Sequence, residues 1–110
     1  MKACILSVAG PELSPEEAGL FRDQDPWAVI LMGRSCVSKT QIRKLVDQIW
    51  KTLERPCLIF IDQEGGRVAR LKAPEWPVFP PVALYGRLHE KHPAEALQAC
   101  YLGHFLMGRE

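Results

Sequence analysis

Three short apolar runs that alternate with helix-like segments constrain the fold of this chain more than any other feature of its 110 residues. The runs are Ala3–Ala9, Trp27–Met32 and Cys57–Ile61. Each has the length and apolar content of a buried strand, and we expect Leu58–Ile61 to be buried on both faces. Strands that alternate with helices require right-handed crossovers and form a parallel sheet. The sequence therefore predicts an α/β fold.

Helix-start signals lie between these runs. Ser14-Pro15-Glu16-Glu17 combines a capping serine, a first-turn proline and a capping-box glutamate. Ser38-Lys39-Thr40-Gln41 has the same capping-box spacing. It opens a segment whose apolar residues share one helix face: Ile42, Leu45, Val46, Ile49, Trp50 and Leu53. A proline-rich loop over residues 74–81 then leads to a last helix that starts at Pro93.

The composition is that of an ordinary globular domain, with 47% hydrophobic residues, 25% charged residues and a net charge of +1. This near-neutral balance predicts no nucleic-acid partner and no membrane partner. No segment approaches the roughly 20 apolar residues that span a bilayer. The sequence assigns no oligomeric state.

The cysteines and histidines predict neither disulfides nor a metal site. No C-x-x-C pair occurs among Cys4, Cys36, Cys57 and Cys100. We expect them to be buried free thiols, which is typical of a reducing compartment and favours a cytoplasmic location. No acidic or cysteine cluster completes a ligand set with His89, His92 or His104.

A candidate site follows the third apolar run. It reads Asp62-Gln63-Glu64-Gly65-Gly66-Arg67-Val68, with Arg70 two residues later. Asp62 falls at the carboxyl end of a strand, where (β/α) folds bind substrates, and one carboxylate can hold two sugar hydroxyls. Asp62 and Glu64 would share one side of an extended backbone and could serve as the acid and base of a glycosidase. Alternatively, Glu64 pairs with an arginine and shapes the turn.

The glycine pair in this run suits backbone with positive φ, or backbone that passes close to a ligand. A phosphate-binding loop would require a helix start after the glycines, so the run does not favour one.

The run from Asp62 to Val68, followed by Arg70, resembles the signature of family 3 glycoside hydrolases. Within that family it is similar to the bacterial β-N-acetylhexosaminidases that release N-acetylglucosamine from peptidoglycan fragments in cell-wall recycling. Weaker likeness extends along the chain. It covers Gly10–Leu13 with Glu16-Glu17, Val29–Arg34, Gln41–Ile49 and Leu102–Glu110.

The resemblance implies that residues 1–110 form the N-terminal portion, about three βα units, of a TIM (β/α)8 barrel that is truncated here. The family's Lys–His pair, histidine acid/base and aspartate nucleophile would all lie beyond position 110. We therefore assign no catalytic residue, cofactor or metal to this chain. We expect the natural sequence to continue for roughly 200 residues, the remainder of a typical barrel.

The resemblance also implies three substrate-binding residues. Asp62 would bind hydroxyls of a terminal N-acetylglucosamine, Arg70 would line the same pocket, and Arg67 would support Asp62 or Glu64 from behind. The substrate would be a small saccharide, an N-acetylglucosamine-containing muropeptide fragment. Two positions depart from the family pattern, because Ser7 replaces a frequent aspartate and Ser35 replaces the usual asparagine.

Two non-enzymatic alternatives remain open on sequence alone. One is a short, non-catalytic module that keeps the first units of the fold and binds a sugar or a protein. The other is a peptide ligand that presents Trp76–Pro81 as a polyproline segment. A stable, monodisperse short protein would favour the first alternative. Dependence of partner capture on the loop would favour the second.

Overall fold

The computed structural model describes all 110 residues and divides them into two compact units, Met1–Asp62 and Gln63–Glu110. The first unit contains three strands and two α-helices: β1 (Lys2–Ser7), α1 (Pro15–Gln24), β2 (Pro26–Leu31), α2 (Lys39–Leu53) and β3 (Leu58–Ile61). A short 3-10 turn, Gly33–Ser35, separates β2 from α2. The second unit contains two short strands and two helices: β4 (Gln63–Gly65), β5 (Val68–Ala69), α3 (Val82–His89) and α4 (Pro93–Met107).

The three strands of the first unit form the predicted parallel sheet, in the order β1-β2-β3. Ile5 of β1 pairs with Ala28 of β2, and Ala28 pairs with Leu58 of β3. The predicted strand bounds differ from the observed ones by one or two residues at some ends. The α/β class and the strand–helix alternation are thus confirmed.

The core of the first unit lies between the sheet and its two helices. Its fully buried side chains are Val8, Phe21, Val29, Leu31, Leu45 and Ile49. Leu45 and Ile49 belong to the apolar row predicted for α2, so this row is the face that packs on the sheet. Burial of each such side chain is worth roughly 1.5–3 kcal/mol, which makes this cluster the main stabilising element of the unit.

We predict that Ile49→Ala lowers the free energy of unfolding by about 2–5 kcal/mol, because it removes a fully buried side chain and leaves a cavity. Urea unfolding followed by far-ultraviolet circular dichroism measures the change. Val37→Ala is the control, since Val37 is 61% exposed. Equal effects of the two substitutions would contradict the assigned core.

The prediction that the third strand is buried on both faces is wrong. Ile59 and Ile61 pack against the core, whereas Leu58 is 52% exposed and Phe60 is 39% exposed. The reason is that α1 and α2 cover only one side of the sheet. We call the uncovered side, with Ile5, Leu58 and Phe60, the open face; the Trp27 ring lies 6.0 Å from the Phe60 ring.

One of the two predicted capping boxes is complete. The backbone N–H of Glu17 donates to Ser14 Oγ (3.2 Å), and the backbone N–H of Ser14 donates to Glu17 Oε2 (3.0 Å). At the second, the N–H of Gln41 donates to Ser38 Oγ (3.1 Å), but Gln41 Oε1 accepts from the N–H of Val37 (3.0 Å). Ser38 therefore caps α2. The return bond to the Gln41 side chain comes from the backbone N–H of Val37, one residue before the N-cap, and not from that of Ser38.

The second unit contains three elements that the sequence did not predict. Strands β4 and β5 form an antiparallel hairpin, and α3 precedes the helix predicted from Pro93. Pro81 occupies the N-cap position of α3 in extended backbone and makes no side-chain capping bond. A helix that starts this way carries none of the polar capping residues by which helix starts are recognised.

All four cysteines are free thiols, but each is half-buried rather than fully buried as expected. Burial raises the pKa of the Cys57 thiol above its ordinary value, against an opposing effect of the Arg55 charge. No group of three or more His, Cys, Asp or Glu side chains is arranged to hold a metal ion. None of the helices combines the length and the apolar character needed to cross a membrane.

Candidate functional site

The carboxyl edge of the parallel sheet is the first candidate location for a site. Strands β1, β2 and β3 end there at Ser7, Leu31 and Ile61, and Asp62 follows immediately as a half-buried residue. Crossover connections bring polar residues from successive strand ends to one edge of such a sheet. Asp62 therefore occupies the position that the sequence predicted for it.

Arg34 joins the ends of two strands at this edge. It lies in the turn after β2, where its Nε donates to the carbonyl oxygen of Val8 (3.0 Å) and its Nη2 donates to Ser7 Oγ (3.2 Å). By sequence, Arg34 stands out only through the family resemblance of the second strand. An arginine just after a buried strand is the signal that could have identified it as part of the edge.

The two serines that depart from the family pattern both make hydrogen bonds within this edge. Ser7 accepts the bond from Arg34, and its position is exposed. Ser35 is fully buried, with its hydroxyl 3.5 Å from the carbonyl oxygen of Val8 and its own carbonyl bonded to Gln41 Nε2 (3.2 Å). Ser35 thus contributes to the packing beneath the edge and does not form part of its exposed surface.

Glu17 holds the loop between β1 and α1. Its Oε1 accepts from the backbone N–H of Ala9 (2.6 Å), and its Oε2 accepts from that of Ser14. Partial burial raises the pKa of Glu17, but the hydrogen bonds from Ser14 and Ala9, together with the nearby Arg34 charge, outweigh burial. The pKa of Glu17 consequently lies below its ordinary value.

This depressed pKa predicts a pH-dependent contribution to stability. Because the folded state favours the ionised form, the contribution is present above the unfolded pKa of about 4.3 and is lost as pH falls through the folded value. We expect Glu17→Gln to lower the melting temperature at pH 7 and to flatten its fall between about pH 5 and 3. Glu16→Gln is the matched control, since Glu16 is exposed on the same first turn. Thermal melts of both variants across this pH range measure the difference. Coinciding pH profiles of the two melting temperatures would contradict the role of Glu17.

The glycine pair packs against the proline-rich loop of its own unit. Gly65 has φ +82°, and a Cβ there would overlap the carbonyl oxygen of Pro80. Gly66 has φ +60°, and its N–H donates to the carbonyl oxygen of Phe79 (3.0 Å). The predicted positive φ is confirmed, and the group that approaches the glycines closely is the backbone of Phe79 and Pro80. The glycines therefore position this loop.

The arginines and Glu64 lie on or beside the hairpin. Arg67 is exposed at the turn between β4 and β5, and Arg70 is half-buried just after β5. The pairing expected between Glu64 and an arginine is absent, because Glu64 is exposed on β4 and forms no ion pair. Asp62 directly follows β3, which ends at Ile61, whereas Glu64 lies within β4.

The proline-rich loop does not have the form of a free peptide ligand. Trp76, its large aromatic residue, is only 5% exposed, and its backbone N–H donates to the carbonyl oxygen of Lys72 (3.2 Å). A polyproline ligand offers its side chains to an aromatic groove of a partner. The packing of Trp76 and of Pro80 within the unit gives that alternative no support.

Comparison with known proteins identifies relatives along almost the whole chain. No family model matches it. The β-hexosaminidase of Xylella fastidiosa (strain 9a5c) is 33% identical over 106 residues, which cover 96% of this chain and 31% of that protein. The β-hexosaminidase of Methylobacillus flagellatus is 35% identical over 94 residues, covering 86% of this chain and 27% of that protein. The chain thus spans about a third of the length of the curated relatives that it matches.

Comparison with solved structures is consistent with these sequence matches. NagZ from Neisseria gonorrhoeae, solved in complex with zinc ion, has a TM-score of 0.75 and 26% identity, covering 86% of this chain and 28% of that chain. The same enzyme in complex with N-trifluoroacetyl-D-glucosamine has a TM-score of 0.73 over 84% of this chain. The chain is therefore a homologue of the bacterial β-hexosaminidases over nearly its entire length.

Proposed function

We propose that this chain is one part of a β-N-acetylhexosaminidase, a glycoside hydrolase that removes terminal N-acetyl-β-D-glucosamine residues, and that it supplies part of the sugar-binding pocket. The proposal rests on the position of Asp62 at the carboxyl edge of the parallel sheet. It is supported by the 33% identity of the chain to a β-hexosaminidase over 106 residues and by its structural similarity to NagZ. The proposed substrate is an N-acetylglucosamine-containing muropeptide fragment in the cytoplasm. A glucosamine derivative bound to NagZ supports the choice of sugar.

In this proposal three residues serve the sugar. The Asp62 carboxylate accepts hydrogen bonds from two hydroxyls, a geometry that carboxylates favour because each oxygen accepts independently. Arg70 contributes to the same pocket, and Arg67 supports Asp62 from behind. None of the three is given a catalytic role. A retaining glycosidase requires a nucleophile at the anomeric carbon and a separate acid/base for the leaving oxygen.

We further propose that the sheet of the first unit is the N-terminal portion of a (β/α)8 barrel, with the open face turned inward. Barrel interiors are filled by layers of bulky apolar side chains from alternating strand positions. The open face carries such residues, namely Ile5, Leu58 and Phe60, while both helices lie on the opposite side. This orientation leaves Asp62 at the carboxyl mouth, where the substrates of barrels bind.

A chimaeric enzyme tests the proposed function. In it, this chain replaces the 106 matching residues of the Xylella fastidiosa β-hexosaminidase. We expect the chimaera to hydrolyse an aryl N-acetyl-β-D-glucosaminide, and the 110-residue chain alone to show no turnover. A folded chimaera without activity, beside an isolated chain that still binds N-acetylglucosamine, would instead establish a non-catalytic sugar-binding module. A folded chimaera that neither binds nor hydrolyses the sugar would refute both.

A further inference from the structure

The side-chain amide of Gln63 is bonded entirely to the backbone beside Arg70. Gln63 Oε1 accepts from the N–H of Arg70 (2.8 Å) and from the N–H of Leu71 (3.0 Å). Gln63 Nε2 donates to the carbonyl oxygen of Leu71 (3.1 Å). One side chain thus makes three hydrogen bonds to two consecutive residues, seven and eight positions further along the chain.

These bonds continue the hairpin beyond the end of its second strand. The backbone of Gln63 is paired with Ala69, where β5 ends. The carboxamide then offers an acceptor and a donor to the next two residues, as the peptide group of a neighbouring strand would. Because β4 has three residues and β5 has two, backbone pairing alone gives the hairpin little independent stability.

The burial of the neighbouring residues strengthens the hydrogen bonds between the Gln63 side chain and the backbone of Arg70 and Leu71. Leu71 is buried, and Gln63 and Arg70 are both half-buried, so water competes poorly for their backbone groups. The next side chain along β4, Glu64, is exposed on the other side of the strand. On β4, it is therefore the side chain of Gln63, and not that of Glu64, that holds the segment after β5.

We propose that Gln63 is a positioning residue that fixes the main chain at Arg70 and so aims the Arg70 guanidinium at the sugar. The proposal rests on the proposed function, in which Arg70 contacts the substrate. An arginine on an unrestrained bend would lose backbone freedom on each binding event, and the Gln63 amide removes that freedom beforehand. Gln63 itself does not touch the sugar in this account.

Two measurements test the proposal. In the 110-residue chain, hydrogen exchange of the Arg70 and Leu71 amides should be at least tenfold faster in Gln63→Ala than in wild type. Gln63→Glu, which keeps the acceptor but loses the donor to Leu71, should be intermediate. The matched control is Gln48→Ala, because Gln48 Oε1 also accepts from a backbone N–H, that of Leu13 (3.3 Å), in the first unit. It should leave exchange at residues 70 and 71 unchanged.

In the chimaera, kcat/KM separates positioning from general destabilisation. Gln63→Ala and Arg70→Ala should each lower it about tenfold, and the double variant should be no worse than Arg70→Ala alone, because residues that act through one another are not additive. Additive losses, or exchange at residues 70 and 71 that Gln63→Ala leaves unchanged, would overturn the proposal. A folded wild-type chimaera that neither binds nor hydrolyses the sugar would refute the proposed function, and the positioning role for a sugar with it. The exchange result would still show separately whether Gln63 holds the segment.

Discussion

Asp62→Ala should lower kcat/KM of the chimaeric enzyme by about 10²-fold or more. The substitution removes a carboxylate proposed to accept hydrogen bonds from two sugar hydroxyls. A hydrogen bond to a charged group contributes roughly 1.5–3 kcal/mol, and each 1.4 kcal/mol corresponds to a factor of ten. Two such bonds therefore account for a loss of this size, without any direct part for Asp62 in bond cleavage.

Glu64→Ala is the control for this experiment. Glu64 is also a carboxylate of the signature run, but it is exposed and forms no ion pair. We expect its removal to change kcat/KM less than threefold, within the roughly 0.5 kcal/mol typical of surface substitutions. Full activity of purified, folded Asp62→Ala enzyme, or equal losses in the two variants, would show that Asp62 does not bind the substrate.

Gly65→Ala should destabilise the second unit by roughly 2–5 kcal/mol. A non-glycine residue at φ +82° is strained by about 1–3 kcal/mol, and overpacking adds a comparable amount. The group that the new methyl would meet is the backbone carbonyl of Pro80, which cannot rotate away as a flexible side chain would. Accelerated hydrogen exchange over residues 63–81, together with a lower urea midpoint, is the expected result.

Gly86→Ala provides a control of opposite sign in the same unit. Gly86 lies inside α3, and a Cβ there would meet nothing within 4 Å. Alanine is a better helix former than glycine by about 0.5–1 kcal/mol, so this substitution should stabilise α3 slightly. Similar behaviour of the two variants would mean that Gly65 does not have the conformation described here.

Much of the first unit could be predicted because its signals are local. The apolar runs around Val29 and Ile59 predict strands, and the Ser14–Glu17 capping box predicts the start of α1, from a few adjacent residues. Burial of β3 on both faces could not be judged in this way. Apolar composition describes what a strand can bury, whereas the number of covered faces depends on where the helices lie.

The second unit was harder to predict because its structure depends on contacts between distant residues. The hairpin is reinforced by the Gln63 amide across seven and eight residues, and the Gly65–Gly66 turn is packed against Phe79 and Pro80. No local pattern encodes these partners. Helix α3 was not predicted for a different reason. Its N-cap residue is Pro81, whereas the usual signal of a helix start is a polar N-cap residue.

The candidate site shows the same division. The position of Asp62 follows directly from the end of a strand, and the sequence predicted it. The bonds of Arg34 to Ser7 and Val8 depend on β1 and β2 being neighbours in the sheet, which is a property of the topology. Residues that hold a site together are thus less visible in sequence than residues placed at its edge.

The central claim is that Asp62 binds sugar hydroxyls at the carboxyl edge of this sheet. The most direct measurement is a crystal structure of the chimaera with N-acetylglucosamine bound. We predict that both Asp62 carboxylate oxygens lie within about 2.5–3.0 Å of hydroxyl oxygens of the sugar. A sugar bound in the barrel mouth with no hydroxyl within hydrogen-bond distance of Asp62 would contradict the account.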